Sequence, residues 1–418
     1  MATALTYTVS FATACVLFLT ASWYLDTSVP EDMPESLSAT LLDAFCRSNW
    51  HIIGLLDSVG AYKFSLFWRE TIFQSTLSLL VRGSLRPAPL NQDPELLVSD
   101  TVYADVPVRV YEPVVLTSKI NRPVVLFFQG GWATLGLDIY DPIAREIAKK
   151  ASTVVVAVKF QTPPQIVHPA AFEDCVKVTK HVIHQAHVHN FDPNRVAVAG
   201  DGAGAQLAAA VALTMKHFIK MQLFDLQTPS YIENQHYLPG MRSGGGLLSD
   251  WMRYGNIPLK YSQDLQENKH TSSTVKKSRY SSYLAPHLYT LKHIRSIELQ
   301  ALEKPNDFGE EAVSNHVSKI ITDPLFAPLM ADDKDFLHLP SITYIITAGY
   351  DVTRDDGLIY WRRLKNAGVE AHLAHYRDGF HNMLAFATLQ STPSYFFFTF
   401  SVGGRVVEDL VEFLLDNL

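Results

Sequence analysis

The segment Gly200-Asp201-Gly202-Ala203-Gly204-Ala205 has the spacing of a serine-hydrolase nucleophile turn, with glycine where the serine would stand. An apolar run, Arg195–Ala199, leads into it, and an alanine-rich helix beginning near Gln206 leads out. Strand, sharp turn and helix are what lift such a nucleophile above a sheet. Glycine has no side chain and cannot form an acyl-enzyme. Two downstream segments complete the pattern. Ala348-Gly349-Tyr350-Asp351 puts an acid just past the end of a strand, and Arg377-Asp378-Gly379-Phe380-His381 puts a histidine in a loop after the next strand. Nucleophile, acid, histidine is the chain order of α/β-hydrolases. In such a triad the acid orients the imidazole and the imidazole takes the nucleophile's proton, so Asp351 and His381 can still form their half of it.

Upstream, Gln129-Gly130-Gly131-Trp132 occupies the place of an oxyanion loop. There backbone N–H groups, together with that of Ala203 after the nucleophile position, would face a tetrahedral oxyanion. Trp132 is bulky enough to fill space that an acyl group needs. Gly202 is conformationally well suited to its position. A nucleophile at such a turn holds strained backbone angles at about 1–3 kcal/mol, and glycine adopts them at little steric cost. The substitution is expected to keep the fold and remove the chemistry.

The elements around these residues alternate. Val102–Tyr111 reads as a half-exposed antiparallel strand, while Pro123–Phe128 and Thr153–Val158 are β-branched apolar runs suited to strands buried on both faces. Helical spacing occurs over Tyr140–Lys150, Phe172–His184, Gln206–Lys216, Asp356–Ala367 and Arg405–Leu418. Further strands are expected at Arg195–Ala199, Ser341–Ala348 and Ala371–Tyr376. The alternation predicts an α/β fold with a mostly parallel central sheet and helices on both faces. The spacing divides the chain into an apolar segment at 1–25 and short amphipathic helices within a cap region at 26–95. A first half of the core follows at 96–219, then a less regular insertion at 220–336 and a second half at 337–418.

Composition narrows the class. The 418 residues are 47% hydrophobic and 18% charged, with a net charge of −7, which gives no reason to expect a nucleic-acid partner. Ala2–Leu25 carries no charged side chain, and the first Lys or Arg is Arg47. That run has the length of a membrane-crossing helix and lacks the basic start of a cleaved signal peptide. Acids follow it, so the expected orientation puts the N-terminus in the cytosol and the body in the lumen. Three cysteines make no disulfide framework and read as buried thiols. His181, His184, His187 and His189 lack an accompanying acid or cysteine at ligand spacing, so they read as surface histidines and no metal is expected. No cofactor is implied.

These motifs resemble the arylacetamide deacetylase family, microsomal relatives of the hormone-sensitive-lipase group of carboxylesterases. The family carries H-G-G-G, Y-R-L-A-P-E…F-P-A-A-x-E-D, G-D-S-A-G-G, Y-D-x-x-R-D-D-G and D-G-F-H. The last two stand here as Tyr350-Asp351-Val352-Thr353-Arg354-Asp355-Asp356-Gly357 and Asp378-Gly379-Phe380-His381. The second begins as Phe160-Gln161-Thr162-Pro163-Pro164-Gln165 and rejoins the pattern at Pro169-Ala170-Ala171-Phe172-Glu173-Asp174. The oxyanion motif has lost its histidine, which aligns with Gln129 or Phe128, and Trp132 or Gln129 replaces one glycine. The resemblance implies an ester-hydrolase scaffold anchored in the endoplasmic reticulum membrane, single-pass and type II. Its partners would be membrane lipid and a hydrophobic ester or lipid ligand. Three readings follow: a non-catalytic member that binds lipid or a partner, a weak esterase in which Asp351–His381 activates water, and a membrane-surface protein using Tyr395–Phe400.

Overall fold

The computed structural model describes residues 26–82, 90, 93–116, 121–131, 135–162, 167–214, 226, 228–238, 248–285, 308–336, 339, 342–389 and 398–418. The apolar run Ala2–Leu25 and Trp132 lie outside the described residues, as do Ala133, Thr134 and Tyr395 to Phe397. Among the described residues no helix is long and apolar enough to cross a membrane.

Two strands open the core, β1 (Leu96–Tyr103) and β2 (Val106–Pro113). They are antiparallel and joined by Ala104 and Asp105, both with positive φ (49° and 67°). The expected single strand Val102–Tyr111 is therefore a hairpin: a two-residue turn whose central residues are both left-handed matches the twist of its flanking strands. β3 (Arg122–Phe128), β4 (Val154–Val158) and β5 (Phe191–Gly200) complete a five-stranded sheet in the order β1-β2-β4-β3-β5. β2 pairs antiparallel with β4, and β3 pairs parallel with both β4 and β5.

β6 (Ile342–Tyr350) and β7 (Glu370–Phe380) pair in parallel as a separate two-stranded sheet. The expected single central sheet is thus divided between β5 and β6. Apolar periodicity reports that a strand is buried, and it carries no record of which edge its neighbour joins. The two sheets nevertheless share a core, since Ala197 and Ala199 of β5 pack in one cluster with Ala348 of β6 and Tyr376 of β7.

Burial on both faces explains the β-branched runs. Val124, Leu126, Val154 and Val156 face one apolar cluster, while Val125, Phe127, Val155 and Ala157 face the other. The first cluster is closed by helices Ala170–His184 and Ala203–Thr214, through Cys175, Val178, Leu207 and Val211. The second is closed by Leu137–Lys150 and Ser401–Asn417, through Ile143, Ile147, Val402 and Val406. The alternation follows from the period of two along a strand.

The N-terminal region is less fragmented than its spacing suggested. Ser36–Ser58 is one 23-residue helix, followed by Tyr62–Phe67, a π-helical turn Trp68–Phe73 and Gln74–Arg82. It is tied to the insertion by buried pairing of Arg69 with Asp250 and by Arg253 to Asp57 at 2.9 Å. At the joint between its first two helices Val59, Tyr62 and Phe64 stand exposed.

Candidate active site

β5 ends at Gly200 and the next helix begins at Ala203, three residues before the expected start near Gln206, so Asp201 and Gly202 make the whole turn. Gly202 has φ +51°, the left-handed region that disfavours side chains. Gly204 is required for a different reason: a Cβ there would overlap the Phe128 carbonyl at the end of β3. The helix start therefore packs directly on the end of β3, and the Gly204 N–H donates to Asp201 O at 2.8 Å.

Asp351 follows β6 immediately, and His381 follows β7 immediately. The Asp378-Gly379-Phe380 segment expected in a loop belongs to β7, so the histidine stands on a strand end. His381 Nδ1 lies 3.1 Å from Asp351 Oδ1 and 3.2 Å from Oδ2. Burial pushes the Asp351 carboxyl up, but His381 and the Thr353 N–H and hydroxyl outweigh it and leave it below the ordinary carboxylate value. An ionised carboxylate held against Nδ1 fixes the ring and its tautomer.

Asp201 belongs to the same polar group. Its Oδ2 accepts the Tyr140 hydroxyl at 2.8 Å. Burial raises its carboxyl above the ordinary value despite the Tyr140 bond and the attraction of His381, and Asp351 adds to the rise. Gly130 abuts this pair: a Cβ there would lie 2.7 Å from Asp201 O. Gly131 has φ +70°. Gln129 is buried, and among the described residues its Oε1 has no hydrogen-bond partner. Ala203 is buried at the helix start. The structure thus brings Gly130 beside Asp201, and Asp351 beside His381.

Sequence reasoning missed the residues that fix the acid. Asn234, at the end of helix Pro229–Asn234 in the insertion, donates through Nδ2 to Gly349 O at 2.9 Å and to Asp351 O at 3.0 Å. Ser230 on the same helix donates its hydroxyl to Val352 O at 2.7 Å and its N–H to Asp355 Oδ2 at 2.9 Å. Arg354 pairs with Glu233 at 2.6 Å, both buried. The only sequence signal was a helix-sized stretch, Pro229–Asn234, inside an irregular insertion. Asn382 also went unnoticed. It follows His381 in the left-handed region (φ +62°), and its buried Oδ1 has no partner among the described residues.

The histidine group divides between a half-buried pair and two exposed rings. His181 Nε2 and His189 Nε2 are 3.1 Å apart, and Tyr103 packs on both rings. His184 and His187 are exposed. Among the described residues no group of three or more His, Cys, Asp or Glu is placed to hold a metal. Cys46 and Cys175 are free and buried, and burial raises both thiols.

The family model for the α/β hydrolase fold matches residues 124–235 and 290–385. Neutral cholesterol ester hydrolase 1 of Bos taurus is 29% identical, the alignment covering 97% of this chain and 99% of that protein. Arylacetamide deacetylase of Bos taurus is 28% identical, with 96% and 98% covered. Human arylacetamide deacetylase-like 2 is 28% identical, with 97% of each covered. Among solved structures, DphMB1 superposes with a TM-score of 0.52 at 26% identity, over 79% of this chain and 89% of that one. A thermostable esterase from Pseudomonas putida gives 0.54 at 18% identity, over 83% and 89%, a likeness of fold.

Proposed function

We propose that this chain, which belongs to the arylacetamide deacetylase-like family of α/β-hydrolases, is a member that has lost ester hydrolysis and keeps a site for a hydrophobic ester or lipid. One observation carries the reading: glycine stands at 202, in the turn between β5 and its helix. Acyl transfer on this scaffold needs a hydroxyl or thiol at that point, attacking while His381 takes the proton. Without one, Asp351 and His381 form an acid–base couple beside a turn that carries no nucleophile. The altered motif Gln129-Gly130-Gly131-Trp132 supports the reading, because the oxyanion loop has changed together with the nucleophile position.

The hydrophobic ligand class follows from the relatives, whose names describe hydrolysis of a cholesterol ester and of arylacetamides. A membrane setting is proposed with it: the chain is held in the endoplasmic reticulum membrane by Ala2–Leu25, with its body in the lumen. The charge-free run supports this, and so do exposed Val59, Tyr62 and Phe64, side chains suited to a lipid interface.

The test is chemical. Purified protein incubated with a fluorophosphonate probe stays unlabelled on this reading; stable labelling would place a nucleophile elsewhere and reject it. A second reading is favoured by the Asp351–His381 hydrogen bonds, which leave a base able to activate water directly. Hydrolysis of a short-chain ester that disappears in His381→Ala would support it over the first.

A further inference from the structure

We propose that Asn382 occupies the place of the missing nucleophile and closes the turn at Gly202 a second time, so that a serine alone does not reopen it. This rests on the reading of Gly202 given above. A Cβ built on Gly202 meets one atom of the described residues within 4 Å outside its chain neighbours, Asn382 Oδ1 at 2.9 Å. That separation is inside van der Waals contact for carbon and oxygen. Among the described residues, the amide of Asn382 is what stands in the space beside the turn.

Two features place the backbone of Asn382 beside the turn. The backbone of Asn382 is left-handed (φ +62°), a conformation that asparagine tolerates better than most residues. Asn382 also directly follows His381, whose ring is fixed by Asp351. Among the described residues its buried Oδ1 has no partner, so it can accept a donor brought within reach.

A seryl hydroxyl at 202 would be such a donor. Its O–H would donate a hydrogen bond to the Asn382 carbonyl, which takes no proton, in place of the imidazole that must take the proton for attack. Asn382 therefore competes with the imidazole for the seryl hydrogen bond, while the close contact itself is relieved by a small rotation of its flexible amide. Loss of the nucleophile at 202 and the amide at 382 form a two-residue device, and removal of the amide is needed to reverse it. Glycine is the fitting replacement at 382, because it adopts positive φ at no steric cost.

The experiment uses the full chain as wild type, Gly202→Ser, Asn382→Gly and the double variant. Fluorophosphonate labelling rates and thermal midpoints are measured for all four. The double variant is expected to label at least about 10-fold faster than Gly202→Ser, the scale on which general-base assistance operates. Equal labelling of the two serine variants would overturn the proposal. If neither labels, the thermal cycle decides: midpoints that depart from additivity by more than about 2 °C support direct contact, and additive midpoints overturn it. Labelling of wild type would reject the inactive reading and leave Asn382 to be judged by the same cycle.

Discussion

Tyr140 donates its hydroxyl to Asp201 Oδ2 at 2.8 Å, joining the helix after the oxyanion loop to the turn that holds Gly202. The bond lowers the Asp201 carboxyl, but burial prevails and the folded value lies above the unfolded one. For an acid raised on folding, the unfolded chain gives up its proton first, so stability falls as pH rises through that interval. Asp201→Asn keeps an acceptor for Tyr140 and removes the charge. It is expected to raise the thermal midpoint at pH 7.5 and to leave it unchanged near pH 3. A lowered midpoint at pH 7.5 would show that the charge stabilises the turn.

Asp351 has the opposite sign. Its folded value is depressed, so its contribution is present above the unfolded carboxylate value and lost as pH falls through the folded one. Asp351→Asn is expected to lower the midpoint at neutral pH, with the difference from wild type shrinking below about pH 4. Midpoints measured from pH 2.5 to 7 check this, and a constant difference would contradict it.

Asn234 donates to two carbonyls of the acid loop. Asn234→Ala leaves both without that donor and is expected to cost about 1–3 kcal/mol in urea unfolding. Ser230→Ala removes one donor to Val352 O and is expected to cost less.

The glycines separate by surroundings. Gly204→Ala drives a methyl into the Phe128 carbonyl, and backbone cannot yield as a flexible side chain would. A loss of about 3 kcal/mol or more, or failure to fold, is expected. Gly54, exposed in helix Ser36–Ser58, has nothing within 4 Å of an added Cβ. Gly54→Ala is expected to gain about 0.5–1 kcal/mol. Chemical denaturation of both variants makes the comparison.

Much of the site was legible because strand-end placement is a local property. Apolar runs marked β3, β4 and β5, and the residues after β6 and β7 could be named as an acid and a histidine without knowledge of the sheet. Four things were hidden. The Ala104–Asp105 turn carries no glycine or asparagine, so β1 and β2 read as one strand. The division between β5 and β6 lies in backbone pairing, which side-chain pattern does not encode. Asn234 reaches Asp351 across 117 residues of sequence, and helical spacing says nothing of such a contact. Asn382 looked like an ordinary loop residue, since its importance comes from a φ angle and an unmatched oxygen.

The grip of Asn234 on Gly349 and Asp351 bears on what an intact acid–histidine pair can testify to. The backbone around the acid is held by a neighbouring helix and by Thr353, none of which depends on a hydroxyl at 202. Selection for a folded molecule alone would therefore preserve the aspartate–histidine alignment, whether or not turnover is also selected. An aligned couple in a relative is weak testimony to activity, and the residue opposite it is the one to inspect.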